Sequence, residues 1–202
     1  MMIPSLGTRI VLTGGPCAGK TTLSEMIERA FQNSVVSVPE AASLLFKGGF
    51  PRFDPQEARR STQRAIYGVQ QNLETAFAAQ YPDRVLVFDR GTVDGAAYWP
   101  EGAEAFFQEQ STSLERELNR YTGVIYLESA GREDYLRHMS KNPHRRESWE
   151  EAKQLDQETR KLWERHPSFT LVRNNRSFER KVIEVLAAVA VHIKFDEGDG
   201  KK

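Results

Sequence analysis

Short apolar runs alternate along the chain with longer stretches in which apolar residues recur at helical spacing. The short runs predict five buried strands, at Arg9–Thr13, Val35–Val38, Arg84–Asp89, Gly123–Leu127 and Phe169–Val172. The helical spacing predicts helices at Thr22–Gln32, Glu40–Lys47, Pro55–Gln80, Ala103–Asn119, Ser148–His166 and Ser177–Phe195. Because strands that alternate with helices form parallel sheets covered on both faces, the pattern predicts an α/β domain.

Glycine or acidic residues stand just past several of the predicted strands. They are Gly14, Glu40, Asp89 and Glu128. In a parallel sheet the carboxyl ends of the strands share one edge, and ligands bind in the crevice outside that edge. The sequence therefore predicts that these four positions converge on a single crevice.

Residues 14–21 read Gly-Gly-Pro-Cys-Ala-Gly-Lys-Thr and fit the phosphate-binding pattern G-x-x-x-x-G-K-S/T. Gly14 and Gly19 let the backbone turn its N–H groups toward phosphate oxygens. Lys20 is expected to reach the β- and γ-phosphates, and the Thr21 hydroxyl is expected to hold Mg²⁺. The expected nucleotide-binding residues of this loop are Gly14, Gly15, Pro16, Cys17, Ala18, Gly19, Lys20, Thr21 and Thr22.

Composition narrows the classes of protein. The 28 basic and 28 acidic residues leave no net charge, which argues against a nucleic-acid partner. The single cysteine suits a reducing compartment, and the first residues lack the pattern of a signal peptide. No apolar run approaches the roughly 18 residues of a membrane span. We expect a cytoplasmic protein with one domain over residues 1–195 and a disordered polar tail at 196–202.

Asp89 ends the third predicted strand, at the position where P-loop enzymes hold Mg²⁺ with a carboxylate. A cap of the following turn is the alternative role for this residue. Arg90 comes next and is placed to clamp phosphate oxygens, offsetting charge that develops during phosphoryl transfer. Asp94 is expected either to orient Arg90 or to contact the acceptor, with a structural salt bridge as the alternative.

Glu40 follows the second predicted strand, which Pro39 ends abruptly. A carboxylate at this point lies opposite the phosphate loop and could take a proton from an acceptor hydroxyl. The alternative is an acidic residue that merely stabilises the N-terminus of the next helix. We favour the role of general base.

In this order the motifs resemble a known family. Gly14–Thr22, Pro39-Glu40-Ala41 and Asp89-Arg90-Gly91 with Asp94 look like the bacterial AAA-type ATP/GTP-binding proteins related to nicotinamide riboside kinase. More distantly, they resemble the deoxynucleoside kinases. The resemblance spans about Arg9–Ile193. It implies a P-loop fold of five parallel strands in the order 2-3-1-4-5, with Glu40 as catalytic base and Arg90 on the acceptor side. Deoxynucleoside kinases usually carry Glu where this chain has Asp89, which counts against an ordinary member of that group.

Related kinases carry an arginine-bearing lid after the fourth strand, and residues 128–147 here are charged and rich in arginine. Arg145 and Arg146 follow Pro143 and are the expected catalytic lid residues, which would reach the transferring phosphoryl group on closure. Arg132 and Arg137 lie in the same stretch. The alternative is a solvated helix with charges of both signs.

Asn174 and Asn175 follow the fifth predicted strand, where comparable kinases wrap the donor base. A plain turn is the alternative, because Asn tolerates the left-handed conformation. Phe53 and Tyr98 are expected to line an acceptor pocket, or else to anchor loops on the core. Four histidines, His138, His144, His166 and His192, show no metal-ligand spacing and are expected on the surface or the lid.

The leading hypothesis is a Mg²⁺-dependent kinase that transfers a phosphoryl group from ATP to a hydroxyl of an unidentified small molecule, such as a nucleoside or a ribosylated vitamin. GTP stays open as donor, although no Asn/Thr-Lys-x-Asp guanine signature argues for it. The alternative is a nucleotide-dependent switch or slow NTPase that acts through a protein or lipid partner. The helices predicted at Pro55–Gln80 and Ala103–Asn119 either pair two subunits in a homodimer or pack within one chain.

Overall fold

A computed structural model describes residues 7–129, 131–139, 148–174 and 177–193, apart from the side chains of residues 134, 138 and 139. Its strands are β1 (Arg9–Gly14), β2 (Val35–Val38), β3 (Val85–Asp89), β4 (Gly123–Leu127) and β5 (Phe169–Val172). They form one parallel sheet in the order β2-β3-β1-β4-β5. The predicted α/β class and the predicted strand order 2-3-1-4-5 are confirmed.

Helices cover both faces of this sheet. In chain order they are α1 (Lys20–Phe31), α2 (Ala41–Lys47), α3 (Gln56–Gln80), α4 (Asp94–Ala97), α5 (Ala103–Glu109), α6 (Leu114–Leu118), α7 (Arg132–Met139), α8 (Trp149–Trp163) and α9 (Phe178–Ala190). A short 3₁₀ turn at Gln32–Ser34 joins α1 to β2. No helix in the described ranges is both long enough and apolar enough to span a bilayer.

Alternate residues of each strand face opposite layers of the core, as the two-residue period of a strand requires. On β4, Val124 and Tyr126 pack in the core layer that contains residues of α3, α5 and α8. Ile125 and Leu127 pack in the layer that contains residues of α1 and α9. Both faces of the central strands are therefore buried, which explains why their sequences are apolar without alternation.

The prediction of a single helix over Ala103–Asn119 is wrong. α5 ends at Glu109 and α6 begins at Leu114, and between them Ser111 has a positive φ of 51°. The Ser113 side chain accepts a hydrogen bond from the backbone N–H of Arg116 and so caps α6. Hydroxyl side chains compete in this way with helical backbone hydrogen bonds, and the Ser-Thr-Ser stretch at 111–113 interrupts the apolar period.

The other long helices were predicted with small errors at their ends. α8 begins after a capping box in which Ser148 and Glu151 satisfy each other's backbone N–H groups, and it ends at Trp163 rather than His166. His166 is buried instead of lying on the surface, because its Nε2 faces the carbonyl of Tyr121 and its Nδ1 accepts the N–H of Ser168. His144 and the side chain of His138 lie outside the described part of the chain.

Candidate nucleotide and acceptor site

The loop between β1 and α1 folds around the side chain of Lys20. Gly14 and Gly19 have positive φ angles of 141° and 86°, and a Cβ on Gly14 would lie 2.0 Å from the carbonyl oxygen of Leu127. The Lys20 ammonium donates to the carbonyl oxygens of Gly14 and Gly15, each at 2.9 Å. Burial, followed by the charge of Arg90, lowers the pKa of Lys20 to about 8. Both partners of the ammonium are neutral carbonyl groups, and a phosphate oxygen would be a stronger acceptor for it.

Asp156 of α8 contacts the same loop through its carboxylate. Asp156 Oδ1 accepts the N–H of Gly15 at 2.9 Å and lies 2.6 Å from the hydroxyl of Tyr126. A Cβ on Gly15 would meet the Ser129 hydroxyl at 2.0 Å, so only glycine fits between these groups. The helix that follows the predicted lid stretch is thereby tied to the phosphate loop.

The second part of the site is the turn after β3. Arg90 adopts a positive φ of 70°, which is uncommon and strained for a residue with a side chain. Its backbone N–H donates to the carbonyl of Leu12 in β1 at 3.1 Å. Such strain persists only where neighbouring groups impose it, and it is concentrated at functional sites.

Two carboxylates hold the guanidinium of Arg90. Its Nε donates to Glu40 Oε1 at 2.8 Å, and its Nη1 donates to Asp94 Oδ1 at 2.7 Å. Glu40 precedes α2, but its carboxylate does not cap that helix; it accepts from the side chains of Arg90 and Ser43. Burial tends to raise the pKa of Glu40, but the charge of Arg90 and the hydrogen bond from Ser43 outweigh it, so the pKa is lowered.

Asp94 is buried at the wall of the cleft that Glu40 and Arg90 also line, and its carboxylate accepts several hydrogen bonds. Besides Arg90, its carboxylate accepts from the Thr13 hydroxyl at 2.6 Å, the Gly91 N–H at 2.9 Å and the Trp163 indole N–H at 3.2 Å. These donors come from β1, from the turn itself and from α8. Asp94 therefore orients Arg90 and ties three elements together.

Asp89, at the end of β3, fits a divalent cation. The residue is 7% exposed, and its Oδ1 has no hydrogen-bond partner among the described residues. Burial, followed by the charge of Glu40, raises the pKa of Asp89 to about 6. A bound cation would compensate both the burial of the Asp89 carboxylate and its repulsion by Glu40. The described residues contain no group of three or more acidic, histidine or cysteine ligands, but Mg²⁺ usually needs only one or two protein ligands besides phosphate and water.

A small cleft runs from this turn to α2 and α3. It is lined by Glu40 and Arg90 and, from α3, by Ile66, Tyr67 and Gln70. Sequence reasoning missed Gln70, which is buried and donates from Nε2 to the carbonyl of Arg90 at 3.3 Å. Its only signal in the sequence is a polar residue directly beside the apolar stripe of the long helix.

The expected aromatic residues are not gathered in this cleft. The Tyr98 ring centre lies 6.0 Å from the Arg90 guanidinium carbon, at the edge of the site. Phe53 is 61% exposed and lies in the loop before α3, among Pro51, Arg52 and Asp54. Trp99, the residue after Tyr98, packs on Phe106 in the core and does not line the cleft.

The remaining predicted site residues lie elsewhere or outside the described ranges. Arg132 and Arg137 are exposed on α7, and Arg145 and Arg146 fall in the undescribed segment. The N–H of Asn174 donates to Glu128 Oε2 at 3.0 Å, and Asn175 is not described. Lys181 of α9 is buried beside this loop and donates to the Glu128 carbonyl and to Asn174 Oδ1, which the sequence did not indicate.

Comparison with known proteins supports the fold and gives a family. A family model described as an AAA domain matches residues 9–181. No curated protein sequence matches the chain. A deoxyadenosine kinase from M. mycoides, solved with bound dATP, has a TM-score of 0.63 and 14% identity over 91% of this chain and 99% of its own.

That degree of likeness shows the fold. One fold hosts many functions, so the fold alone does not name a substrate, and the expected relation to nicotinamide riboside kinase stays a prediction. The chain belongs to the AAA-domain family and has the P-loop kinase-like fold.

Proposed function

We propose that this protein is a Mg²⁺-dependent kinase that transfers the γ-phosphoryl group of ATP to a hydroxyl of a small molecule, such as a nucleoside or a ribosylated vitamin. The observation that carries the proposal is the Glu40–Arg90 ion pair, at the same edge of the sheet as Lys20. A nucleotide hydrolase needs the phosphate loop and the metal. An acceptor hydroxyl needs in addition a carboxylate that can accept its proton and a cation that offsets developing charge. Glu40 and Arg90, which line the cleft, provide both.

The donor end is formed by the loop Gly14–Thr22. Its backbone N–H groups and the N-terminus of α1 would hold the phosphates, and the Lys20 ammonium would leave its carbonyl partners for the β- and γ-phosphates. Thr21 and Asp89 would hold Mg²⁺, which when bound neutralises charge on the transferring phosphoryl group. Asn174 and Asn175 would lie beside the donor base, and GTP stays an open alternative to ATP.

At the acceptor end, Glu40 would accept the proton of the attacking hydroxyl. The lowered pKa keeps Glu40 ionised and able to accept a proton, while limiting its strength as a base. That suffices in a loose phosphoryl-transfer transition state, in which the nucleophile needs little activation before bond formation. Arg90 and a lid arginine, Arg145 or Arg146, would offset charge on the equatorial oxygens.

The charges of the site favour an acceptor that carries no phosphate. At the acceptor end, the two carboxylates of Glu40 and Asp94 face the one guanidinium of Arg90. Arg90 already has two carboxylate partners, so a phosphate on the acceptor would have to displace one of them in a site with no excess positive charge. A neutral or cationic alcohol meets no such cost.

Matched pairs of acceptors, with and without a phosphate, test whether the site excludes a phosphorylated acceptor. Release of ADP from Mg·ATP would be measured with nucleosides and ribosylated vitamins, each paired with its own monophosphate. We expect at least one uncharged or cationic alcohol to accelerate ADP release well above hydrolysis by water, and its monophosphate to have no effect. Acceleration by monophosphates alone would contradict the assigned acceptor class. Acceleration by no acceptor would contradict the kinase and favour a switch or slow NTPase.

A further inference from the structure

Two side chains hold the strained turn that carries Arg90, one from the wall of the cleft and one from the core. Gln70 of α3 donates to the Arg90 carbonyl at 3.3 Å. The Tyr121 hydroxyl accepts the backbone N–H of Thr92 at 2.8 Å and lies 3.1 Å from the Thr92 hydroxyl. The positive φ of Arg90 lies between the Arg90 N–H, which donates to the Leu12 carbonyl, and the Arg90 carbonyl, which Gln70 holds. Tyr121 holds the C-terminal end of the turn at Thr92.

One buried carboxylate orients both of these side chains. Glu74 lies one turn after Gln70 on α3 and is fully buried. Its Oε1 accepts from the Tyr121 hydroxyl at 2.6 Å and from Gln70 Nε2 at 3.2 Å. Because the Tyr121 hydroxyl donates its one proton to Glu74, it can only accept hydrogen bonds at Thr92, which suits the Thr92 N–H.

The other oxygen of Glu74 anchors the carboxylate. Its Oε2 accepts from Arg120 at 2.6 and 3.1 Å, and Arg9 lies 3.8 Å away. Packing α3 against the sheet would not require a charge here, since an apolar side chain of similar size can replace a buried ion pair without loss of stability. An apolar side chain could not provide the two hydrogen bonds by which Glu74 orients Gln70 and Tyr121.

The chain contains its own comparison for this argument. Glu117 is a second buried carboxylate beside Arg120, with Oε2 3.6 Å from Arg120 Nε. Its Oε1 accepts from Tyr67 and Thr112, and none of its hydrogen bonds reaches residues 90–92. Glu74 and Glu117 thus share burial, charge and a cationic neighbour, but only Glu74 is connected to the turn.

We infer that Glu74 is a positioning residue: through Gln70 and Tyr121 it sets the conformation of the turn 90–92 and so the placement of the Arg90 guanidinium in the site. The inference rests on the proposed function only where it speaks of catalysis. The geometric part concerns the protein without any ligand and can be tested separately.

The first test is spectroscopic and uses the full chain without nucleotide. The ¹⁵N–¹H signals of Arg90 Nε and of the Trp163 indole would be assigned from their loss in Arg90→Lys and Trp163→Phe. We expect Glu74→Gln to shift or broaden both signals and Glu117→Gln to leave both in place. Unchanged signals in Glu74→Gln, or equal changes in both variants, would overturn the inference.

A second variant keeps the inference falsifiable if Glu74→Gln does not fold. Tyr121→Phe leaves Glu74 paired with Arg120 and strands no charge, but it removes the link to Thr92. It should move the Arg90 Nε signal in the same direction as Glu74→Gln. An unmoved signal would overturn the inference.

The second test is kinetic and depends on an acceptor found for the proposed kinase. Misplacement of a catalytic group by about 1 Å can cost on the order of 100-fold in rate. We therefore expect Glu74→Gln to lower kcat about 10- to 100-fold, with the KM for ATP within about twofold of the wild type. A raised KM for ATP with unchanged kcat would contradict positioning. If no phosphoryl transfer is found, the proposed function fails and the spectroscopic test still decides the inference.

Discussion

At the scale of single residues, the end of β3 combines a buried charge that is not fully compensated with a strained backbone. Asp89 has an oxygen with no hydrogen-bond partner in the described chain, and the nearby Arg90 is held in a strained conformation. Both features cost stability in the protein without ligand. Their placement at the strand ends, beside the phosphate loop, is the pattern expected of a site that becomes balanced only when cation and nucleotide bind.

Because ionising the buried Asp89 carboxylate costs free energy, the free energy of unfolding should depend on pH when EDTA removes divalent cations. Folding raises the pKa of Asp89 from its usual value of 3.8 to about 6, so the folded state holds a proton that the unfolded state has lost in this range. The wild type should lose on the order of 2–3 kcal/mol between pH 4 and pH 6, through this residue alone. Asp89→Asn should not show that loss.

Urea denaturation of both proteins from pH 4 to pH 8 measures this difference. The advantage of Asp89→Asn should grow from pH 4 to about pH 6 and then stay constant. Asp83→Asn, at an exposed position shortly before β3, is the control and should follow the wild type. A difference between Asp89→Asn and wild type that does not depend on pH would contradict the raised pKa.

At the scale of elements, the contact between α8 and the phosphate loop links the predicted lid stretch to the donor site. Asp156 accepts from the Gly15 N–H and from the Tyr126 hydroxyl, and Trp163 of the same helix donates to Asp94. α8 therefore contacts both ends of the site. A shift of α8 would therefore change the contact of Asp156 with the phosphate loop and that of Trp163 with Asp94, which orients Arg90.

Replacement of Asp156 by alanine tests this coupling. The change removes the partner of the Gly15 N–H and one of the two acceptors of Tyr126, and we expect the free energy of unfolding to fall by about 1–3 kcal/mol. Nucleotide affinity should fall several-fold as well, because the loop loses its lateral support. Glu158→Ala, which removes only a pairing with Gln154 on the same helix, should change neither quantity by a comparable amount. Equal effects of both variants would contradict a specific role of Asp156.

Site residues in contiguous motifs or at strand ends could be predicted from the sequence, whereas contacts between residues far apart along the chain could not. Gly14–Thr21 form a contiguous motif, and Glu40 and Arg90 stand at recognisable strand ends, so all could be identified as candidates. Gln70 and Glu74 lie beside the apolar stripe that contains Leu73 and Phe77, and a helical period does not reveal that polar neighbours are buried too. Contacts such as Asp156–Gly15 join residues 141 positions apart and leave no local pattern.

At the scale of the whole molecule, the site lies where two layers of helices meet the same sheet edge. Lys20 begins α1 on one face, whereas Glu40, Arg90 and Asp94 meet beside α3 and α8 on the other. Binding a nucleotide across this edge should therefore stabilise the whole domain. The strand order that creates the edge was predicted through resemblance to P-loop kinases, because hydrophobic periodicity carries no information on strand order.

Thermal unfolding should report this stabilisation. At ATP concentrations near 100 times Kd, binding adds about 3 kcal/mol, which raises Tm by roughly 6–10 °C for a domain of this size. Addition of EDTA should remove most of the increase, since phosphate binding is then left without its cation. Lys20→Ala should show little increase, whereas Lys161→Ala, on the exposed side of α8, should behave as the wild type. An undiminished increase in Lys20→Ala would contradict nucleotide binding at this loop.

The most direct test of the central claim is the fate of the γ-phosphoryl group. ³²P-labelled ATP and Mg²⁺ would be incubated with a metabolite extract and the wild type, Lys20→Ala, Glu40→Gln or Glu57→Gln, the last a control at an exposed surface ion pair. The account predicts a labelled small molecule with the wild type and Glu57→Gln, no transfer with Lys20→Ala, and transfer at least 100-fold slower with Glu40→Gln. Label that appears only as inorganic phosphate, at a rate unaffected by Glu40→Gln, would contradict it and indicate a nucleotide-dependent switch or slow NTPase.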